Sequence, residues 1–158
     1  MKLISNTSPL ILLFEADLEF VLRELYGEII IPEEVLSEIL ISPKVDKLSN
    51  QIESCDWIKK VKIEMEASVL NWDLGKGESA VLSYALQNPN SLSLLDDRFG
   101  KKCAGILGID VIGTGGLLVF AKRQGIIKEI RTPLEKLKRA GLWITNDIIQ
   151  LILHRAGE

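Results

Sequence analysis

Histidine and cysteine are almost missing from this chain. Its 158 residues include one His, His154, and two Cys, Cys55 and Cys103, which lie far apart and outside any Cys-x-x-Cys unit. That scarcity argues against a zinc site built on Cys and His, and it removes Ser-His-Asp and Cys-His catalysis. His154 sits between Leu153 and Arg155 near the end of the sequence and reads as a surface or helix-end residue. Long apolar runs are missing too, so nothing in the sequence spans a bilayer and no membrane partner is expected. The opening Met1-Lys2-Leu3-Ile4-Ser5-Asn6 turns polar too soon for a signal peptide, so the expected compartment is the cytoplasm. No repeat, linker or low-complexity segment stands out, so residues 1–158 are expected to form a single domain. Any chemistry must use carboxylates, hydroxyls, amides or Lys and Arg.

What is present is an ordinary globular composition, 47% hydrophobic and 26% charged. The net charge of −3 is unevenly spread. Residues 1–78 carry 8 basic and 15 acidic side chains; residues 79–158 carry 11 basic and 7 acidic. The second half holds Lys101, Lys102, Lys122, Arg123, Lys128, Arg131, Lys136, Lys138 and Arg139. Such a bias suits a phosphate-backbone partner, and equally a solvated helix face. The overall acidity speaks against a dedicated duplex-DNA binder.

The most informative stretch is Leu92-Ser93-Leu94-Leu95-Asp96-Asp97-Arg98. An apolar run after Asn88-Pro89-Asn90 reads as a buried strand, with two acids at its carboxyl end, where open α/β sheets place their ligands. Adjacent carboxylates repel, so a site that gathers them tends to hold a cation. The plainer alternative is one exposed Asp and one helix N-cap.

Other segments add to this edge. Residues 2–5 predict a short strand; Ser8 and Pro9 then suit an N-cap and first helical position, opening one helix along Leu10, Leu13, Phe14, Leu18, Val21, Leu22 and Leu25. Asn6 thus falls between a strand and a helix, or simply stabilises its own turn. Glu28–Ile31 predicts a second strand, and Pro32 opens a helix from Glu33 to Ile41. Glu34 falls opposite its apolar stripe, whereas Glu38 falls near the stripe's edge, where a side chain can reach a cleft. Residues 46–54 fit a short helix, and the alternation over 61–66 fits a half-exposed strand almost as well as short helices.

Leu74-Gly75-Lys76-Gly77-Glu78-Ser79-Ala80 opens a helix whose stripe is Val81, Leu82, Ala85 and Leu86. Glu78 points along the middle of that stripe, so it needs a partner, either the helix's own cap or a metal. A helix from Arg98 to Leu107, a strand over Ile109–Ile112 and a Gly113-Thr114-Gly115-Gly116 turn follow, leading into a helix over 117–124. That turn lacks the Lys-Ser/Thr of a P-loop and the length of a dinucleotide fingerprint. Thr114 nevertheless joins Asn6 and Asp97 at a strand's carboxyl end. The remainder is helical: Thr132-Pro133 starts one helix, Thr145 caps another, and Ile148, Ile149, Leu151 and Ile152 are expected to pack inward.

Strands alternating with helices predict an α/β fold with a mainly parallel sheet flanked by helices on both faces. Asn6, Asp96 and Asp97 then share one edge, with Glu38 and Glu78 leaning over it. An oxygen-only acidic pocket suits Mg²⁺ or Mn²⁺. A receiver domain or phosphatase fits less well, because a receiver's acid pair follows the first strand.

Five segments together, Asn6–Ile11, Ile31–Val35, Gly75–Ala80, Leu94–Arg98 and Ile112–Leu118, resemble the PIN-domain superfamily, most of all its DUF3368 branch, which is related to VapC toxins. The resemblance runs through nearly the whole chain in order. It implies a PIN-like fold and a Mg²⁺- or Mn²⁺-dependent endoribonuclease acting on RNA, often the toxin of a toxin–antitoxin pair with a small antitoxin protein, and often a homodimer. By it the four acidic positions fall on Asn6, Glu38, Glu78 and Asp97, with Asp96 adjacent. The metal would be held by Glu78, Asp97, Asp96 and Asn6, and Thr7, Ser8, Thr114 and Arg98 would support substrate. Asn6 departs from the expected Asp, and an amide oxygen ligates a hard cation more weakly than a carboxylate. A catalytically silent PIN scaffold that binds RNA or a partner protein is therefore the rival expectation.

Overall fold

In a computed structural model of the chain, the described residues are 1–42 and 45–158. Among them five strands, β1 (Lys2–Ser5), β2 (Ile29–Pro32), β3 (Ile58–Val61), β4 (Ser91–Leu94) and β5 (Val111–Ile112), form one sheet in the order β3-β2-β1-β4-β5. Every pairing is parallel, with Leu3 beside Ile29, Ser5 beside Leu94 and Leu94 beside Ile112. The mainly parallel expectation is met in full.

Between the strands run α1 (Thr7–Glu15), α2 (Phe20–Tyr26), α3 (Glu33–Leu40), α4 (Val45–Ser54), α5 (Ala67–Leu70), α6 (Lys76–Gln87), α7 (Arg98–Ile106) and α8 (Thr114–Arg123), and α9 (Arg131–Ala140) and α10 (Asn146–Arg155) follow. Strands β1 and β2 are apolar runs because both faces of a central parallel strand are covered by helices. Edge strand β3 instead carries exposed Lys59 and Lys60, which discourage edge-to-edge pairing. The main core reaches from Leu3 to Leu153; a smaller cluster of Val69, Leu82, Leu95, Cys103 and Ala104 ties α5, α6 and α7 together. Burying one such Leu or Val contributes about 1.5–3 kcal/mol.

From β1 the chain winds through β2 to β3 on one side, then returns to β4 and β5 on the other. The direction of winding reverses between β1 and β4. Crevices form at such reversals, outside the carboxyl ends of the strands. Asn6 follows β1 directly, and Asp96 and Asp97 follow β4.

Several local expectations are corrected. The single helix over 10–25 is two helices: Asp17 adopts φ 53°, a left-handed conformation that Asp tolerates, and Leu18 N–H donates back to Leu13 O at 2.8 Å. The apolar spacing is continuous across that break, so the stripe alone concealed it. Helix α1 begins at Thr7, with Asn6 in the cap position and Pro9 third, where a missing N–H still costs nothing. The third strand lies at Ile58–Val61, ahead of the alternating stretch, and residues 62–66 form no regular element. Helix α8 starts at Thr114 rather than 117. On α10, Ile149 and Ile152 pack against the core as expected and Leu153 is buried with them, whereas Ile148 and Leu151 are 44% and 43% exposed. Helix α3 packs against α1, α4 and α6, and Glu34 is half-buried on it, with Oε2 out of solvent and without a partner among the described residues.

Candidate functional site

Asn6 is the centre of the rim. Its N–H donates to Leu94 O at 3.0 Å, which ties the end of β1 to β4 and buries the side chain to 6% exposure. The amide Nδ2 reaches Glu78 Oε1 at 3.4 Å. The amide oxygen Oδ1 is buried and has no hydrogen-bond partner among the described residues. Buried polar atoms nearly always find a partner, so an orphaned acceptor in a cleft implies an absent one.

Glu78 leans in from the first turn of α6. Its carboxyl is held above the ordinary carboxylate range, chiefly by burial, then by the charges of Asp97 and Glu38; the bonds from Asn6 and the backbone oppose the rise. Two further carboxylates, Asp97 and Glu38, thus stand near enough to disfavour the charge on Glu78.

Glu38 reaches in, half-buried, from α3, which packs against α1 and α6. Thr7 Oγ1 donates to its Oε2, and Gly77 N–H donates to its Oε1 at 2.8 Å. Gly77 is required by space: a Cβ there would lie 2.8 Å from both carboxylate oxygens. Because Gly77 and Glu78 open α6, Glu38 also receives the favourable field of a helix N-terminus.

Asp97 caps α7, accepting from Gly100 N–H at 2.7 Å. Asp96 turns the other way. Its Oδ1 accepts from Thr114 N–H at 2.7 Å and its Oδ2 from Thr114 Oγ1 at 2.5 Å, which clamps the end of β4 to the start of α8. The two adjacent acids therefore divide: Asp97 faces Glu78, and Asp96 is committed to Thr114. Asp97 is thus an N-cap, as the plainer alternative expects, and its charge also acts on Glu78.

The structure brings Asn6, Thr7, Glu38, Glu78 and Asp97 into one group, and Asp96 and Thr114 into an adjoining one. Ser8 and Arg98 are exposed at the first turns of α1 and α7 and form no hydrogen bond with either group among the described residues. Two participants escaped sequence reading. One is the Gly77 amide as Glu38's partner. The other is Lys101, whose Nζ would lie 2.8 Å from a Cβ at Gly113, near Asp96 Oδ1 at 3.2 Å from the same point. A lysine in a run of basic residues carries no signal of where its tip goes.

A hard divalent cation matches the donor chemistry, which is carboxylate and amide oxygen throughout. The buried, partnerless Asn6 Oδ1 beside a crowded carboxylate fits it further. Among the described residues, however, no group of three or more His, Cys, Asp or Glu is arranged as a metal cage. Asn6 brings an amide oxygen to the rim, while Glu38 is bonded to Thr7 and Gly77, and Asp96 to Thr114. No described helix is long and apolar enough to cross a membrane.

No curated protein and no solved structure matches this chain. The family model DUF3368, a PIN domain, matches residues 2–158, nearly the whole length, in keeping with the all-parallel sheet and the acids at its carboxyl edge. PIN domains are generally divalent-metal-dependent nucleases that bind RNA. The chain belongs to the DUF3368 family of PIN domains.

Proposed function

We infer that this protein is a metal-dependent endoribonuclease whose acidic rim holds Mg²⁺ or Mn²⁺ while an RNA phosphodiester is hydrolysed. The observation that carries the reading is the pairing of an orphaned, buried Asn6 Oδ1 with a Glu78 carboxyl pushed up by burial, Asp97 and Glu38. An uncompensated cluster of negative groups around a partnerless acceptor is stabilised by a cation more than by any neutral ligand.

Asn6, Glu78 and Asp97 would hold the metal. When bound, it supplies an acidified water and neutralises charge on the phosphate in transit. Glu38 is a positioning residue: bonded to Thr7 and the Gly77 amide, it fixes the start of α6 and with it the approach of Glu78. Asp96 and Thr114 hold the β4 end against α8, so that Asp97 stays in place. Exposed Arg98, next to Asp97, is free to meet a phosphate.

The family resemblance extends the proposal to a toxin paired with a small antitoxin and to a homodimer, and the sequence reading adds a single domain in the cytoplasm. A second reading is favoured by Asn6 itself. With one charge fewer in the pocket, the domain would bind RNA or a protein without cutting. Purified protein incubated with structured and single-stranded RNA in Mn²⁺ separates the two. The nuclease reading expects cleavage that Asp97→Asn abolishes; intact RNA after prolonged incubation favours the silent scaffold, and cleavage that persists in Asp97→Asn marks a contaminant.

A further inference from the structure

A cleft of about 470 Å³ opens beside the acidic rim, bounded by the end of β4, by α7 and α8, and by α10 with the loop before it. Asp96 lines it, so the cleft continues directly from the residue next to Asp97. On its outer wall stands Trp143, 88% exposed. Helix α10 adds Ile148, Leu151 and Arg155, a stripe at spacings of three and four that faces the cleft instead of the core. Lys101 and Arg123 complete the rim. Neither these two cations nor Arg155 is in an ion pair among the described residues. The one carboxylate of the lining, Asp96, already accepts two bonds from Thr114.

Among the described residues Arg123 donates to the Arg155 carbonyl at 3.1 Å, which leaves Lys101 and Arg155 as two cations without an ion pair beside an apolar floor and an exposed indole. Single-stranded nucleic acid requires the same parts: charge for the backbone and a flat platform for a base. An apolar peptide would use the floor but leave the cationic excess unmatched. The geometry points to this cleft as a single-strand RNA subsite, in which a base stacks on Trp143 while Lys101 and Arg155 meet flanking phosphates and lead the strand towards Asp97. It rests on the nuclease reading for the choice of RNA, and it is tested by binding rather than by cleavage.

The probe is a short fluorescein-labelled oligouridine, titrated in EDTA and followed by anisotropy over a range of salt. Trp143→Ala is expected to weaken binding at least about fivefold, the low end for one base–aromatic stack, with Trp143→Phe recovering most of it. Lys101→Ala and Arg155→Ala should each flatten the dependence of log affinity on log salt by about 0.7. Because Trp143 is exposed, its variants should melt with the wild type, which separates a lost contact from a lost fold. Wild-type affinity in Trp143→Ala, or a salt slope untouched by both charge variants, overturns the subsite and leaves the cleft to a peptide. If Trp143→Ala loses binding while the wild type cuts no RNA in Mn²⁺, the subsite stands and the nuclease reading fails. If Trp143→Ala both binds and cuts like wild type, the nuclease reading stands and the subsite fails.

Discussion

Glu38 and Asp96 are held in the same manner. Each carboxylate accepts one bond from a threonine hydroxyl, Thr7 or Thr114, and one from a backbone N–H in the first turn of a helix, α6 or α8. Each faces a glycine whose Cβ would collide with the local arrangement. They differ in company. Glu38 raises the pKa of Glu78 through its charge, as Asp97 does, and borders the orphaned Asn6 amide's partner. Asp96 is among neither the causes of that shift nor the bonds to Asn6. The lesson is that a hydrogen-bonding pattern does not define a functional acid; what distinguishes Glu38 is like charge left uncompensated nearby.

The comparison can be broken most decisively by activity. Asp97→Asn should lower RNA cleavage in Mn²⁺ by roughly a hundredfold or more, yet change stability by less than about 0.5 kcal/mol, since Asn caps a helix as well as Asp. Asp96→Asn should instead cost mainly stability, read by denaturant melts. If it silences cleavage as fully as Asp97→Asn, the division drawn between the two acids is wrong.

The two glycines give the next largest contrast. Gly77→Ala forces the Glu38 carboxylate out of its bonds and should destabilise by about 1–3 kcal/mol. In Gly113→Ala the nearest obstacle is the flexible tip of Lys101, which can move, so a loss below about 1 kcal/mol is expected. Equal losses in urea melts would remove the argument that Glu38 is the more tightly seated.

Asn6→Asp sharpens the contrast from the other side by restoring a carboxylate to the crowded group. Mn²⁺ should bind roughly tenfold more tightly by calorimetry, about 1.4 kcal/mol. In EDTA the same variant should melt lower, because a further negative charge joins Glu38, Glu78 and Asp97. No gain in Mn²⁺ affinity would take Asn6 out of the ligand shell.

The smallest effect is the most diagnostic of charge. Glu78 binds its proton more tightly folded than unfolded, so its ionisation opposes folding. That cost is absent below the ordinary carboxylate range, grows as pH rises through the raised folded value, and is fully present above it. Glu78→Gln in EDTA should therefore raise stability at neutral pH by less than about 1 kcal/mol given solvent screening, and the gain should vanish in acid. A gain independent of pH would point to packing instead of charge.

Much of the sheet was readable because buried parallel strands are short apolar runs with turn residues on either side, as β1, β2 and β4 are. The break at Asp17 was not, since both sides of it feed the same core and the apolar spacing passes straight through. Ile148 and Leu151 were assigned to the interior for a related reason: hydrophobic spacing says that residues share a face, but not which face meets the protein. The pairing of Asp96 with Thr114 spans 18 residues, and that of Thr7 with Glu38 spans 31; neither leaves a local trace.

Sequence alone determined the alternation of strand and helix, the exclusion of His- and Cys-based chemistry, the family, and the identity of the oxygen-bearing residues at strand ends, because each rests on local spacing or on residue type. Only the tertiary structure decided which carboxylates stand together, which are consumed by threonine and backbone donors, and that Asn6 Oδ1 is left without one. Those outcomes depend on distances between segments far apart in the chain, and on burial, which turns a polar atom's missing partner from a trivial matter into a costly one.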